Sequence, residues 1–474
     1  MFIGREKELN KLNELYNKSG FQFSVIYGRR RVGKTALINE FMNDKEAIFF
    51  TGIESSAQQN LVNISRCILS YANEALGNTF FPSFQAALEY VFRLAKKKRI
   101  VFAIDEFPYI ARASKSLASI LQALIDENKD TSKLFLILCG SSISFMENNV
   151  LAFRAPLYGR RTAQFKIQPF DYYESRSFFR KYSDIDIAAV YGIVGGIPQY
   201  LLQIDDSLSL EENIKRCLFE PSSPLFEEPD NLLMQEVREP AIYNAIIAAI
   251  ATGSTRLSEI SVKVGEETSA CAVYLKNLIT FGIIKKVTPI TENSARKTMY
   301  KVDDSLYRFW HKFIPDNIAA INRGLADSVF RKISPKFSDY MEDAFEEICI
   351  QYLWKLRMHG KAPVEFTDLG CWWGNDAKNK CEIRIDIMGT DGADSAIFCG
   401  CKWTNEKTDI GVLNVLVEKS LLFRYKNVRF YLFAKSGFTK RCSEKANELG
   451  NVALVPFAEI ANYDGTILPK RGKK

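Results

Sequence analysis

The sequence predicts an α/β fold at its N-terminal end, then a small helical module with a hairpin, then a second α/β domain. Three observations carry this expectation. Apolar runs of strand length recur at 23–27, 99–106 and 133–140. Three helical patterns and two short strand-like runs fill 242–302. Beyond residue 337 the order becomes helix, strand, strand, helix, strand. A chain of 474 residues is too long for one core, so about three domains are expected.

Composition narrows the class. Hydrophobic residues make up 47% and charged residues 25%, as in an ordinary globular protein. Charges at Arg5 and Glu6 stand where a signal peptide would carry its apolar stretch. No apolar run approaches the ~18 residues of a membrane span. The 10 cysteines are scattered without CxxC pairs and suggest reduced thiols in the cytoplasm. Only His311 and His359 are present, which argues against a histidine metal centre. The net charge of +7 permits nucleic-acid binding without demonstrating it.

The first element is the strand 23–27, followed by Gly28-Arg29-Arg30-Arg31-Val32-Gly33-Lys34-Thr35 and a helix opening at Ala36. This fits G-x-x-x-x-G-K-[ST] in its proper strand-to-helix setting. Glycines let backbone N–H groups curl around a β-phosphate, and the helix N-terminus adds its positive end. Lys34 can reach the β- and γ-phosphates of ATP, and Thr35 can hold Mg²⁺.

The second strand, 99–106, ends in Asp105-Glu106. Asp105 sits where a carboxylate would bind Mg²⁺. Glu106 would polarise the attacking water. The third strand, 133–140, leads into Ser141-Ser142. Ser141 there can sense a γ-phosphate, or simply cap the next helix. In the run 156–162, Arg160 or Arg161 can point at the phosphates, in cis or across a subunit interface.

Together the run 2–9, both phosphate and metal motifs, the Leu157-Tyr158-Gly159-Arg160-Arg161 run and Gly195-Gly196-Ile197-Pro198 resemble the archaeal-type ATPases, a AAA+/STAND branch of the P-loop NTPases. The resemblance covers the first half of the chain. It implies a parallel sheet followed by a small helical lid. It also implies that Ile3, Gly4 and Arg5 lie near the adenine, with Pro198 close by at the start of a lid helix. The expected domains are a P-loop ATPase core at 1–170 and the lid at 171–234.

At 235–305, helices at 242–250, 257–264 and 268–281 precede strands 282–287 and 297–302, with a tip at 292–297. Three helices and a hairpin spell a winged helix-turn-helix. The third helix offers Thr268, Ser269, Tyr274, Lys276 and Asn277, few groups for reading bases. Glu266 and Glu267 would repel phosphates, so a structural arm is favoured over DNA readout.

The segment 306–474 looks like a PD-(D/E)XK nuclease core. Helix 337–353 is followed by strands 381–388 and 395–403, helix 409–423, strand 428–434 and strand 452–455, with Trp372-Trp373-Gly374 before the first strand. Glu346, Asp386 and Lys402 match three positions of such a site. The acid expected two residues before Lys402 is Gly400. The site therefore reads as degenerate. The basic tail 469–474 reads as a solvated end.

The expected function is an ATP-binding, ATP-hydrolysing switch using Mg²⁺, cytoplasmic and without membrane partners. Its C-terminal domains would engage DNA or an unidentified protein, and a homo-oligomer is compatible. The alternatives are an ATP-gated DNA nuclease and a nucleotide-dependent scaffold with little turnover.

Overall fold

The computed structural model describes residues 2–74, 79–291, 297–376 and 381–464. They form two compact units, Met1–Phe170 with Ile197–Gln199, and Asp171–Gly196 with Tyr200–Lys474.

The first unit is built on five strands: β1 (Gln22–Tyr27), β2 (Ala47–Thr51), β3 (Ile100–Asp105), β4 (Leu134–Gly140) and β5 (Ala163–Lys166). Their order is β2-β3-β4-β1-β5, with every pairing parallel. β1, β3 and β4 are buried along their whole length, which is why they read as unbroken apolar runs. Side-chain alternation still sorts them. Phe23, Val25, Phe102 and Leu136 pack beneath the helices Ala57–Tyr71 and Phe84–Lys97. Ile26, Val101, Ala103 and Ile137 pack beneath Glu6–Asn17 and Lys34–Met42. β4 is inserted between β1 and β3, so their C-terminal ends stand side by side. Tyr27 pairs with Gly140, and Ile104 with Leu138.

The second unit opens with the helices Tyr172–Arg176, Asp184–Val194, Leu210–Leu218 and Pro224–Glu236. The helix Asp184–Val194 lies against the long helix Phe337–Met358. Tyr340 donates its hydroxyl to Gly192 O at 2.7 Å, and Gln351 Nε2 donates to the Tyr191 hydroxyl at 2.9 Å. A Cβ on Gly192 would lie 2.5 Å from Met341 Sδ and 3.2 Å from Ala344 Cβ, so a larger residue would have to displace the Met341 side chain.

Helices Pro240–Ala251, Leu257–Val264 and Thr268–Thr280 then precede an antiparallel pair, β6 (Ile284–Val287) and β7 (Met299–Val302). They share a cluster of Ile246, Ile260, Leu275, Leu278, Ile284 and Val302. Of the anticipated hairpin tip, 292–296 lies outside the described residues, as does the tail 469–474.

The last sheet has the order β12-β11-β10-β9-β8. β8 (Asp368–Asp376), β9 (Cys381–Thr390) and β10 (Ser395–Lys402) are antiparallel. β11 (Asn427–Ala434) and β12 (Val452–Pro456) continue parallel from β10. Helices Ile410–Ser420 and Lys440–Leu449 make the two crossovers. Trp372 and Trp373, expected ahead of the first strand, lie inside β8. That segment lacks apolar alternation, and its strand character comes from pairing with β9.

Candidate active site

The turn after β1 is fixed by backbone crowding. A Cβ on Gly28 would lie 2.4 Å from Ile167 O, so no side chain fits there. Gly33 caps the helix Lys34–Met42 in the left-handed region at φ 89°. Arg31 is also left-handed, at φ 70°. Such a turn aims successive N–H groups into one concavity.

Lys34 is buried, and its Nζ donates to Gly28 O and Arg29 O at 2.9 Å each. Burial lowers its ammonium pKa. Thr35 Oγ1 donates to Asp105 Oδ2 at 2.6 Å. The other Asp105 oxygen accepts the Glu106 amide at 2.9 Å. Glu106 takes the left-handed conformation at φ 49° where β3 passes into the helix Phe107–Ala113. Its Oε2 accepts both the Ser141 hydroxyl at 2.9 Å and the Ser141 amide at 3.3 Å. Lys34, Thr35, Asp105, Glu106 and Ser141 are thus brought together at the ends of β1, β3 and β4. Thr35 and Asp105 offer hard oxygens, a donor set that suits Mg²⁺.

Helix Phe107–Ala113 adds two groups that the sequence reading missed. Tyr109 accepts from Arg30 Nη2 at 2.9 Å, and Arg112 Nη2 donates to Ser142 Oγ at 3.3 Å. A Cβ on Gly140 would lie 2.7 Å from Pro108 Cδ, so the helix sits directly against the end of β4. A helix start immediately after Asp105-Glu106, with Pro108 in its first turn, was the available signal.

The expected base-side residues are arranged around Phe170. Gly4 takes φ 69°, and a Cβ there would lie 2.8 Å from the Phe170 ring. Arg5 is buried, donates Nη2 to Val32 O at 3.1 Å and Gln168 O at 2.5 Å, and lies 4.2 Å over the Phe170 ring. Arg5 therefore also braces the phosphate turn. Ile3 is half-buried. Pro198 Cγ lies 3.7 Å from the position of a Gly33 Cβ. Arg160 forks onto Asp126, at 2.9 and 2.6 Å. Arg161 lies 5.7 Å over the Tyr158 ring.

In the second unit, Glu346 and Asp386 line a cavity of about 640 Å³. Arg384 bonds the Glu346 carboxylate. Burial pushes Glu346 up to about 7 against the pull of Arg384. Asp386 Oδ2 accepts the Cys401 amide at 2.9 Å. Lys402 Nζ stands 3.9 Å from Glu342 and does not bond Glu346 or Asp386.

Residues 2–204 match the model of an ATPase domain found predominantly in archaea, and residues 310–412 match a family of archaeal and bacterial proteins of unknown function. An uncharacterised protein of Methanocaldococcus jannaschii is 34% identical over 414 residues, 86% of this chain and 88% of that protein. The chain belongs to this archaeal-type ATPase family. An uncharacterised ATP-binding protein of the same organism is 44% identical over 46 residues, 10% of this chain and 78% of that one. The Walker-type ATPase of Pyrococcus abyssi superposes with a TM-score of 0.50 at 21% identity, over 66% of this chain and 96% of that chain. That likeness concerns the fold, a P-loop NTPase sheet. Among the described residues of this family member, no helix is long and apolar enough to cross a membrane.

Proposed function

We propose that the protein binds ATP with Mg²⁺ at the turn 28–36 and hydrolyses it, as a switch whose C-terminal domains engage a protein partner or DNA. One observation carries the reading. Lys34, Thr35, Asp105, Glu106 and Ser141 converge at three adjacent strand ends, each bonded to a neighbour in the set or to the turn itself.

The division of labour follows from the groups. Backbone N–H groups of 28–36 cradle the phosphates, and Lys34 exchanges its two carbonyl partners for phosphate oxygens. Thr35 and Asp105 hold Mg²⁺, which when bound neutralises phosphate charge. Glu106 orients water and accepts its proton, and Ser141 holds that carboxylate. Arg161 is the better candidate for a transition-state arginine, because Arg160 is committed to Asp126. Ile3, Gly4, Arg5 and Pro198 frame the base.

The output side is read from surface chemistry. The helix Thr268–Thr280 exposes Thr268, Ser269, Ala272, Val273, Lys276 and Ile279, a face with few groups for base edges. We therefore assign the winged-helix-like module a structural role. The nuclease-like domain, with Gly400 where an acid is needed, is assigned binding rather than cutting.

The test combines ATP affinity by fluorescence titration with steady-state hydrolysis, with and without duplex DNA. Lys34→Ala should weaken ATP binding at least tenfold. Unchanged affinity and turnover in Lys34→Ala would sink the proposal. DNA stimulation would make nucleic acid the output.

A further inference from the structure

The cavity of the second unit carries the chemistry that the ATPase reading leaves unused. Asp343, Glu346 and Asp386 all line it. Glu346 is largely covered, Asp386 is half-buried and Asp343 is exposed, and a carboxylate drawn from water needs cations or hydrogen bonds. In a metal nuclease the cation would be Mg²⁺, so the donor set can be tested against that ion.

The residues present do not fit it. The position that should supply a further carboxylate is Gly400. A Cβ there would lie 3.0 Å from Leu432 Cδ1 and 3.8 Å from Leu416 Cδ2, so a side chain would enter the apolar packing beneath helix Ile410–Ser420. The flanking Cys399 and Cys401 are buried thiols, soft ligands held neutral by burial. Among the described residues, no group of three or more His, Cys, Asp or Glu side chains is placed to hold a metal.

The chain supplies its own cations instead. Arg384 stands on β9 two residues before Asp386, next to a register shift against β8. Its guanidinium bonds Glu346, on the helix Phe337–Met358. Lys301, on β7, donates to Asp343 Oδ1 at 3.2 Å, one turn before Glu346. Asp386 takes the Cys401 amide.

We propose that Arg384 takes the place of a divalent metal in this cavity. The site is neutralised by a guanidinium, with Lys301 as second cation, binds neither Mg²⁺ nor Mn²⁺, and cuts no phosphodiester. A planar guanidinium with five fixed donors suits crowded carboxylates, and unlike a metal it cannot activate a water. The same charges tie the β6–β7 hairpin, through Lys301, to the helix that carries Glu346.

The experiment counts Mn²⁺ ions by electron paramagnetic resonance in the nucleotide-free full chain. Any ion held at the phosphate turn is common to all variants and cancels. Wild type and Asp386→Asn should bind the same number, since asparagine keeps an oxygen for the Cys401 amide. Arg384→Gln should bind the same number too, because the remaining carboxylates lack the ligand that Gly400 cannot supply. It should melt below wild type, with Arg384→Gln plus Glu346→Gln recovering part of that loss. A wild-type ion that vanishes in Asp386→Asn overturns the proposal. So does an Arg384→Gln variant, folded by circular dichroism, that melts with wild type. If Arg384→Gln does not fold, the wild-type and Asp386→Asn pair still decides.

Discussion

Ser141 and Glu106 act as one unit, because a serine hydroxyl and amide both donate to the same carboxylate oxygen. Removing the hydroxyl leaves the charge of Glu106 in place but frees its orientation. Ser141→Ala should lower kcat about tenfold with ATP affinity unchanged, read by phosphate release and by titration. His311 supplies a prediction in pH. Burial lowers its pKa to about 4, against ~6.5 in an unfolded chain. A base lowered in this way lends stability above pH ~6.5 that is lost as pH falls toward 4, worth about 3 kcal/mol at full effect. His311→Phe should therefore flatten the acid limb of the melting curve of the second unit between pH 7 and 4. The phosphate-side residues were legible because their spacing fixes where each stands on a strand or turn. Arg5 and Arg160 were only half legible. Their partners Gln168 and Asp126 are far away in sequence, and no local pattern announces them.

At the level of elements, Gly28 and Gly192 mark two close backbone approaches. Gly28→Ala forces a Cβ onto Ile167 O and should destabilise the first unit by about 2–4 kcal/mol, visible in nucleotide-free thermal melts. Gly192→Leu drives a side chain into Met341 and should lower the melting temperature of the second unit. β1, β3 and β4 were readable because strands buried on both faces are continuously apolar. β2 and β5 escaped because they are short edge strands with alternating burial, easily taken for loops. The helix Lys440–Leu449 escaped for a related reason: only Cys442 and Ala446 are buried in an otherwise polar run. β8 escaped because its own residues carry no strand period.

Across the whole molecule, the segment read as a lid distributes between the two units. The tripeptide Ile197–Gln199 groups with the sheet, while its flanks Asp171–Gly196 and Tyr200 onward group with the C-terminal elements. The sequence could show neither division, since Gly195 and Gly196 mark a turn without saying what each side packs on. In the proposed reaction Glu106 is the group that drives hydrolysis at the Lys34, Thr35 and Asp105 site. The direct measurement is Mg²⁺-dependent phosphate release by wild type and Glu106→Gln at saturating ATP, beside their ATP affinities. Glu106→Gln should retain binding and lose turnover by about 100-fold or more. Equal turnover in the two proteins would contradict it.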